Sequence, residues 1–340
     1  MSGPGLGIGP GSGAGGAGSG VGGSGSGTGD GGVGSGAGPG GVGSGAGVGG
    51  SGSIGGMTMI PRYPLAASAY RRRMLPPEVV SFYECGDEQD RLTARIGRLE
   101  WARTWVLLQR HLPDPPATVV DVGGGPGAYA VPLALAGHDV HLVDAMPLHV
   151  TQARQAAAAA ETTLASAEVG DARGLAVPDA SADAVLLLGP LYHLIEEADR
   201  VAALIEARRV LRPGGVLAAV AVSRFASLIE GLRHGWGRDH PGIVESGLHT
   251  GTHRNPEALR HRFTTAHFAR PEELAAAIAA AGFEPATLYA VEGPGALIGD
   301  ADEWMDDPVR RDWLLRQLDR IETEPSLLGA SPHVLAIARR

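Results

Sequence analysis

Apolar and polar positions divide the chain into stretches of different period. From Pro77 onward, Leu92, Ile96, Leu99, Trp105 and Leu108 recur at helical spacing up to His111. Pro77 suits the start of this helical run, and Pro113, Pro115 and Pro116 end it. Thr118–Val122 is then short and apolar, the signature of a buried strand. A helix over Ala128–Ala136, a strand over Asp139–Val143 and a helix over Leu148–Ala160 follow. Ser166–Val169 predicts a weak third strand, and Ala184–Leu188 a fully apolar fourth. Asp199–Leu211 predicts a helix, and Gly215–Val222 a fifth strand. Strands alternating with helices at this spacing imply βαβ units, hence a parallel sheet covered on both faces.

After Val222 the rhythm breaks. Residues 223–262 predict two helices and a polar loop. Pro271–Ala281 then predicts a helix, Thr287–Val291 a strand, Trp304–Ile321 a helix and Val334–Ala338 a last strand. Residues 1–56 have no such period. They hold 30 of the 53 glycines, and Val33–Gly38 recurs as Val42–Gly47. Glycine has the most backbone entropy to lose and nothing to bury, so a disordered Gly-rich tail is expected there. The expected domains are that tail, an N-terminal helical cap over 57–116, and an α/β domain over 117–340 with an inserted lid at about 223–270.

Composition narrows the chemistry. All 28 basic residues are Arg, so the chain has no lysine for a Schiff base or a P-loop. The single Cys85 builds neither a disulfide framework nor a Cys-rich zinc site. With net charge -9, and no segment as long and apolar as a membrane helix, no nucleic acid and no membrane partner is expected. The first residues lack the cationic start and apolar run of a secretory signal, so the expected location is cytoplasmic.

The informative stretch is Asp121-Val122-Gly123-Gly124-Gly125-Pro126-Gly127, after a buried strand and before a helix. Two ligand classes fit it. Gly-x-Gly-x-x-Ala (Gly123, Gly125, Ala128) suits a dinucleotide, whereas Asp-x-Gly-x-Gly-x-Gly suits a cationic ligand, because a pyrophosphate avoids a nearby anion such as Asp121. Asp144 ends the second strand, 21 residues after Gly123, where a carboxylate can accept both ribose hydroxyls. Gly170-Asp171-Ala172 follows the third strand, placed to meet an adenine. Leu211-Arg212-Pro213-Gly214-Gly215 forms a tight turn before the fifth strand.

In this order and spacing, residues 118–223 resemble the core of the class I S-adenosylmethionine (SAM)-dependent methyltransferases. Leu188-Gly189-Pro190-Leu191-Tyr192-His193-Leu194 resembles a bacterial small-molecule branch of that family. The resemblance implies a Rossmann-like, doubly wound, seven-stranded α/β sheet whose last two strands form an antiparallel pair around a helix. It implies SAM as cofactor, held by Asp121, Gly123, Gly125, Gly127, Asp144, Gly170, Asp171, Ala172 and Leu188. Nucleic-acid amino methyltransferases of the family carry Asn/Asp-Pro-Pro-aromatic where this chain has Gly189-Pro190-Leu191-Tyr192, which speaks against DNA adenine methylation.

The expected partner is a small-molecule methyl acceptor, methylated on oxygen or nitrogen by a monomer or homodimer. His193 and Tyr192 are the catalytic candidates, since His193 can take a proton from the acceptor. Tyr83 in the cap, and His253, Arg254 and His267 in the lid, are the candidates for holding the acceptor; Arg262 is an alternative cation. His249-x-x-x-His253 has metal-ligand spacing only if helical, and Gly251 and its Thr neighbours read as loop, so no metal is expected. The rival readings are an NAD-dependent oxidoreductase and a non-catalytic SAM-binding module.

Overall fold

The structure, a computed structural model, describes residues 75–86, 88–255 and 263–340. The expected tail over 1–56, the first part of the cap, Asp87, His261 and Arg262 lie outside the described residues.

The described chain starts with three helices, α1 (Pro77–Glu84), α2 (Glu88–Arg91) and α3 (Ile96–His111). The apolar period predicts one continuous helical run here, but the chain turns at Cys85–Gly86, and Arg95 adopts φ 53° ahead of α3. A left-handed non-glycine residue ends helical propagation, so periodicity survives where hydrogen bonding does not.

The domain then alternates as expected: β1 (Thr118–Val122), α4 (Ala130–Leu135), β2 (Asp139–Asp144), α5 (Pro147–Ala159), β3 (Ser166–Val169), β4 (Ala182–Leu187), α6 (Glu197–Val210) and β5 (Leu211–Val222). β5 starts four residues before the predicted Gly215, and its pairing with β4 shifts register between Ala182 and Ala184. The lid stretch contributes α7 (Ala226–His234), α8 (Pro241–Thr250) and a short antiparallel pair, β6 (Thr252–His253) with β7 (Ala266–His267). The chain closes with α9 (Pro271–Ala280), β8 (Thr287–Ala290), α10 (Ala301–Asp306), α11 (Pro308–Asp319), α12 (Pro325–Leu328) and β9 (His333–Arg339). The helix predicted over Trp304–Ile321 is divided between α10 and α11. Pro308 has no N–H to continue α10, and the Asp307 carboxylate caps Val309 and Arg310 instead.

Seven strands form one sheet in the order β3-β2-β1-β4-β5-β9-β8. The first five are parallel, and β9 runs antiparallel to both neighbours. The strand order reverses between β1 and β4, and ligands of open α/β sheets bind beyond the carboxyl ends of the strands at that point. Alternate residues feed two cores. Val120, Val122, Val185, Leu187 and Leu217 pack with α6 and α9 on one face. Val119, Leu142, Leu186 and Val216 pack with α3, α4 and α5 on the other. With both faces covered, the central strands read as continuous apolar runs rather than alternating ones. Among the described residues no helix is long and apolar enough to cross a membrane.

Candidate active site

The loop after β1 is shaped by backbone that has no room for side chains. Gly123 sits at φ +70°, donates to Val143 O at 2.7 Å, and would place a Cβ 2.8 Å from Pro190. The β1 and β4 loops therefore touch directly. Gly125 also has a left-handed backbone, φ +55°, but nothing lies within 4 Å of its Cβ position, which leaves the loop open to a ligand on that side.

Asp121 lies directly behind this loop, 1% exposed, and neither carboxylate oxygen has a hydrogen-bond partner. Burial, with a smaller contribution from Asp144, pushes its carboxyl up to about 7. An unpartnered buried carboxylate is costly, and a cationic ligand is what it lacks. Asp144, at the end of β2, is by contrast well supplied. Its Oδ2 accepts from Gly125 N at 2.9 Å, and its Oδ1 from Met146 N at 2.7 Å and His149 Nδ1 at 3.1 Å.

Gly170, Asp171 and Ala172 continue the same wall beside Asp144, where Gly170 N donates to Asp144 O at 3.0 Å. The Asp171 carboxylate is bound by Arg173 (Nη2–Oδ2 2.6 Å), which also reaches Asp199 at 2.9 Å. Asp171 therefore sits within an ion-paired network at the cavity wall.

Beyond β4, Leu191–His193 forms one turn of 3-10 helix. His193 is buried, and its Nε2 lies 2.7 Å from the Tyr83 hydroxyl. Burial lowers its basicity to about 4, partly offset by the Thr265 backbone and Asp144, so the ring is neutral near pH 7. Its Nδ1 makes no hydrogen bond of regular geometry. Tyr83, Tyr192 and Phe263 meet the imidazole at 4.7–5.6 Å between centroids.

Two adjoining cavities follow from this arrangement. The first runs between Asp144, Gly170–Ala172, Tyr83 and His193. The second lies across the glycine loop, between Asp121, Leu188, Arg91, Trp101 and Trp105. They share Glu88, Gly123, Gly125, Gly189 and Tyr192. Every residue expected to bind the cofactor thus borders one or both cavities, as do Tyr83, Tyr192 and His193.

The lid candidates are placed differently. Both His253 ring nitrogens are engaged, with Ser227 Oγ at 2.8 Å and Phe263 O at 3.1 Å, and the ring stacks on Phe268. Arg254 is exposed. His267 lies 4.0 Å from Glu273, and burial, aided by Arg200, lowers it to about 4. None of the three lines either cavity. His249 and His253 fall on α8 and β6, on either side of Gly251, so they share no helical face.

Sequence reasoning missed His149 and Arg91. His149 stands on the first turns of α5, five residues after Asp144, with no motif to mark it. Arg91 borders the second cavity while pairing with Glu88 at 2.8 Å and Glu100 at 2.6 Å. Glu100, Glu292 and His333 bring one ligand atom each within 4.8 Å. Burial opposes charge on His333, but Glu100 and Glu292 outweigh it and raise the imidazole to about 9. His333 and Arg91 are then two cations facing the carboxylates of Glu88, Glu100 and Glu292.

Residues 119–215 match a family model described as a methyltransferase domain. Solved structures of similar fold include a protein from Pyrococcus horikoshii OT3, 16% identical, covering 76% of this chain and 98% of that one at TM-score 0.50. An S-adenosylmethionine-dependent methyltransferase from Mesorhizobium loti is 18% identical and covers 71% of this chain and 100% of its own, at TM-score 0.47. The CcbJ methyltransferase from Streptomyces caelestis is 17% identical and covers 71% and 88%, at TM-score 0.46. At these identities the likeness is one of fold. The matched residues, the strand order and the glycine loop agree: residues 119–215 form a methyltransferase domain, and SAM is the cofactor such a domain uses.

Proposed function

We propose that the methyl acceptor is a small molecule, a metabolite or natural product methylated on oxygen or nitrogen. The observation that carries this reading is the lining of the first cavity beside the nucleoside wall: Leu75, Tyr83 and Tyr192 stand there with the buried, neutral His193, side chains that suit a compact ligand rather than a polymer.

The orphaned oxygens of Asp121 and the open side of Gly125 fit a cationic, nucleoside-bearing cofactor. When bound, SAM supplies an electrophilic methyl group on a positively charged sulfur. Asp121 would face that cationic end, Arg91 the carboxylate of the methionine moiety, and Asp144 with Gly170–Ala172 the nucleoside. Leu188 and Gly127 complete the walls around the loop. Methyl transfer discharges the sulfonium, so the protein's task is alignment, exclusion of water and removal of the acceptor proton. A neutral His193 can take that proton at Nε2 once the acceptor displaces the Tyr83 hydroxyl. Tyr83 and Tyr192 then shape the acceptor pocket. Residues 57–116 act as cap and 223–270 as lid, with His253 holding Phe263 and with His267 and Arg254 behind that aromatic wall. The cytoplasm, where metabolites and SAM meet, is the fitting location.

Incubation of a metabolite extract with methyl-labelled SAM tests this. Label is expected in the low-mass fraction, and His193→Ala should slow its appearance at least tenfold with S-adenosylhomocysteine affinity unchanged. Label confined to protein or nucleic acid would overturn the small-molecule reading, and undiminished turnover would remove His193 from the mechanism.

A further inference from the structure

We infer that His149 is a second ribose ligand, sharing with Asp144 the two hydroxyls of the cofactor's nucleoside. The inference rests on the cofactor reading above and adds a residue that no motif marks.

The argument begins with the lone pairs of Asp144. A carboxylate offers about four acceptor positions. Three are taken: Met146 N and His149 Nδ1 on Oδ1, and Gly125 N on Oδ2. One position remains on Oδ2, whereas a ribose presents two adjacent hydroxyl donors. One of them needs another acceptor.

His149 supplies it. The side chain is 3% exposed and borders the same cavity as Asp144 and Gly170–Ala172. Because Nδ1 faces a carboxylate oxygen at 3.1 Å, that nitrogen carries the proton. In the uncharged ring Nε2 is then a bare lone pair, and it has no partner. Tyr83 packs edge-on against the ring at 5.0 Å between centroids, while the Tyr83 hydroxyl is committed to His193. Nε2 is shielded from solvent in the empty protein, so a donor that satisfies it comes from a ligand seated directly against the ring, and the ribose held by the neighbouring Asp144 brings one. The Asp144–His149 bond also fixes the imidazole plane, so the acceptor is oriented before the ligand arrives.

Calorimetry with S-adenosylhomocysteine and its 2′-deoxy and 3′-deoxy analogues tests the assignment on the full chain. The native protein should bind one deoxy analogue about tenfold more weakly than the parent, from the hydroxyl lost to Nε2. In His149→Phe, which keeps the ring's bulk without the acceptor, the parent should bind about tenfold more weakly and that analogue no worse than the parent. His149→Gln, whose amide oxygen reaches a similar point, should recover part of the preference. Equal discrimination in the native protein and His149→Phe would overturn the inference. So would a complex of the native protein with Nε2 beyond hydrogen-bond distance of every ligand donor, a result independent of how the variants fold. Failure of the native protein to bind S-adenosylhomocysteine at all would instead overturn the cofactor reading itself.

Discussion

At the scale of single residues, the site is organised around buried groups whose partners the protein itself does not supply. Burial, with a smaller contribution from the charge of Asp144, pushes the Asp121 carboxyl up to about 7. The charge of the sulfonium is permanent, so binding selects the ionised carboxylate. At pH 6 the empty protein holds Asp121 mostly protonated, and SAM should bind about tenfold more weakly than at pH 8. The sign for stability is opposite. A carboxyl whose folded value is raised favours the folded state at acid pH, and that contribution is lost as pH rises to about 7. Asp121→Asn should therefore raise the melting temperature of the empty protein at pH 8 while weakening SAM and flattening its pH dependence. Calorimetry at the two pH values checks this; equal dissociation constants at pH 6 and 8 would contradict the assignment. The positions of Asp121, Asp144 and the glycines around one loop were legible in the sequence, because strand ends and backbone geometry fix where they lie. His149 was not, since its importance arises from a hydrogen bond across the start of α5. Nor was the engagement of both His253 nitrogens, which removes that residue from the cavity wall.

At the scale of elements, the sheet was legible and its irregular joints were not. Continuous apolar runs located β1, β4 and β5, because strands buried on both faces need them. Arg95 and Pro308 interrupt helices that apolar spacing alone carries through, since periodicity records which face is buried rather than where hydrogen bonds stop. One joint has a measurable consequence. His333 at the start of β9 sits 2.5 Å from Glu292 Oε1, with Ser331 and the His333 backbone N–H bound to the same carboxylate. Its folded pKa, about 9, exceeds the unfolded ~6.5. The stabilisation is complete below pH 6.5 and is lost as pH rises through 9. Thermal melts of the native protein should thus fall between pH 7 and 9.5, and His333→Gln should fall less over the same range. Parallel curves for the two proteins would show that the imidazole carries no charge there.

At the scale of the whole molecule, sheet topology gathers residues distant in sequence at one edge. Asp121, Asp144, Asp171 and Leu188–His193 lie at or just beyond the carboxyl ends of four different strands, and the 3-2-1-4-5-9-8 order aligns those strand ends beside the switch between β1 and β4. The covering layer is built from both flanks: Tyr83 from α1 bonds to His193, and Thr264 Oγ1 from the lid donates to Glu78 O of α1 at 3.2 Å. The sequence led to the expectation of a cap and a lid; the hydrogen bonds Tyr83–His193 and Thr264–Glu78 were not legible there, because spacing along the chain carries no information on which side chains meet across it. The most direct test of the account is a crystal structure of the protein with S-adenosylhomocysteine. The nucleoside is predicted between Asp144 and Gly170–Ala172, and the homocysteine chain against Gly123–Gly127 with its ammonium toward Asp121. A ligand seated away from the glycine loop, or lying across it in the reverse direction, would contradict it.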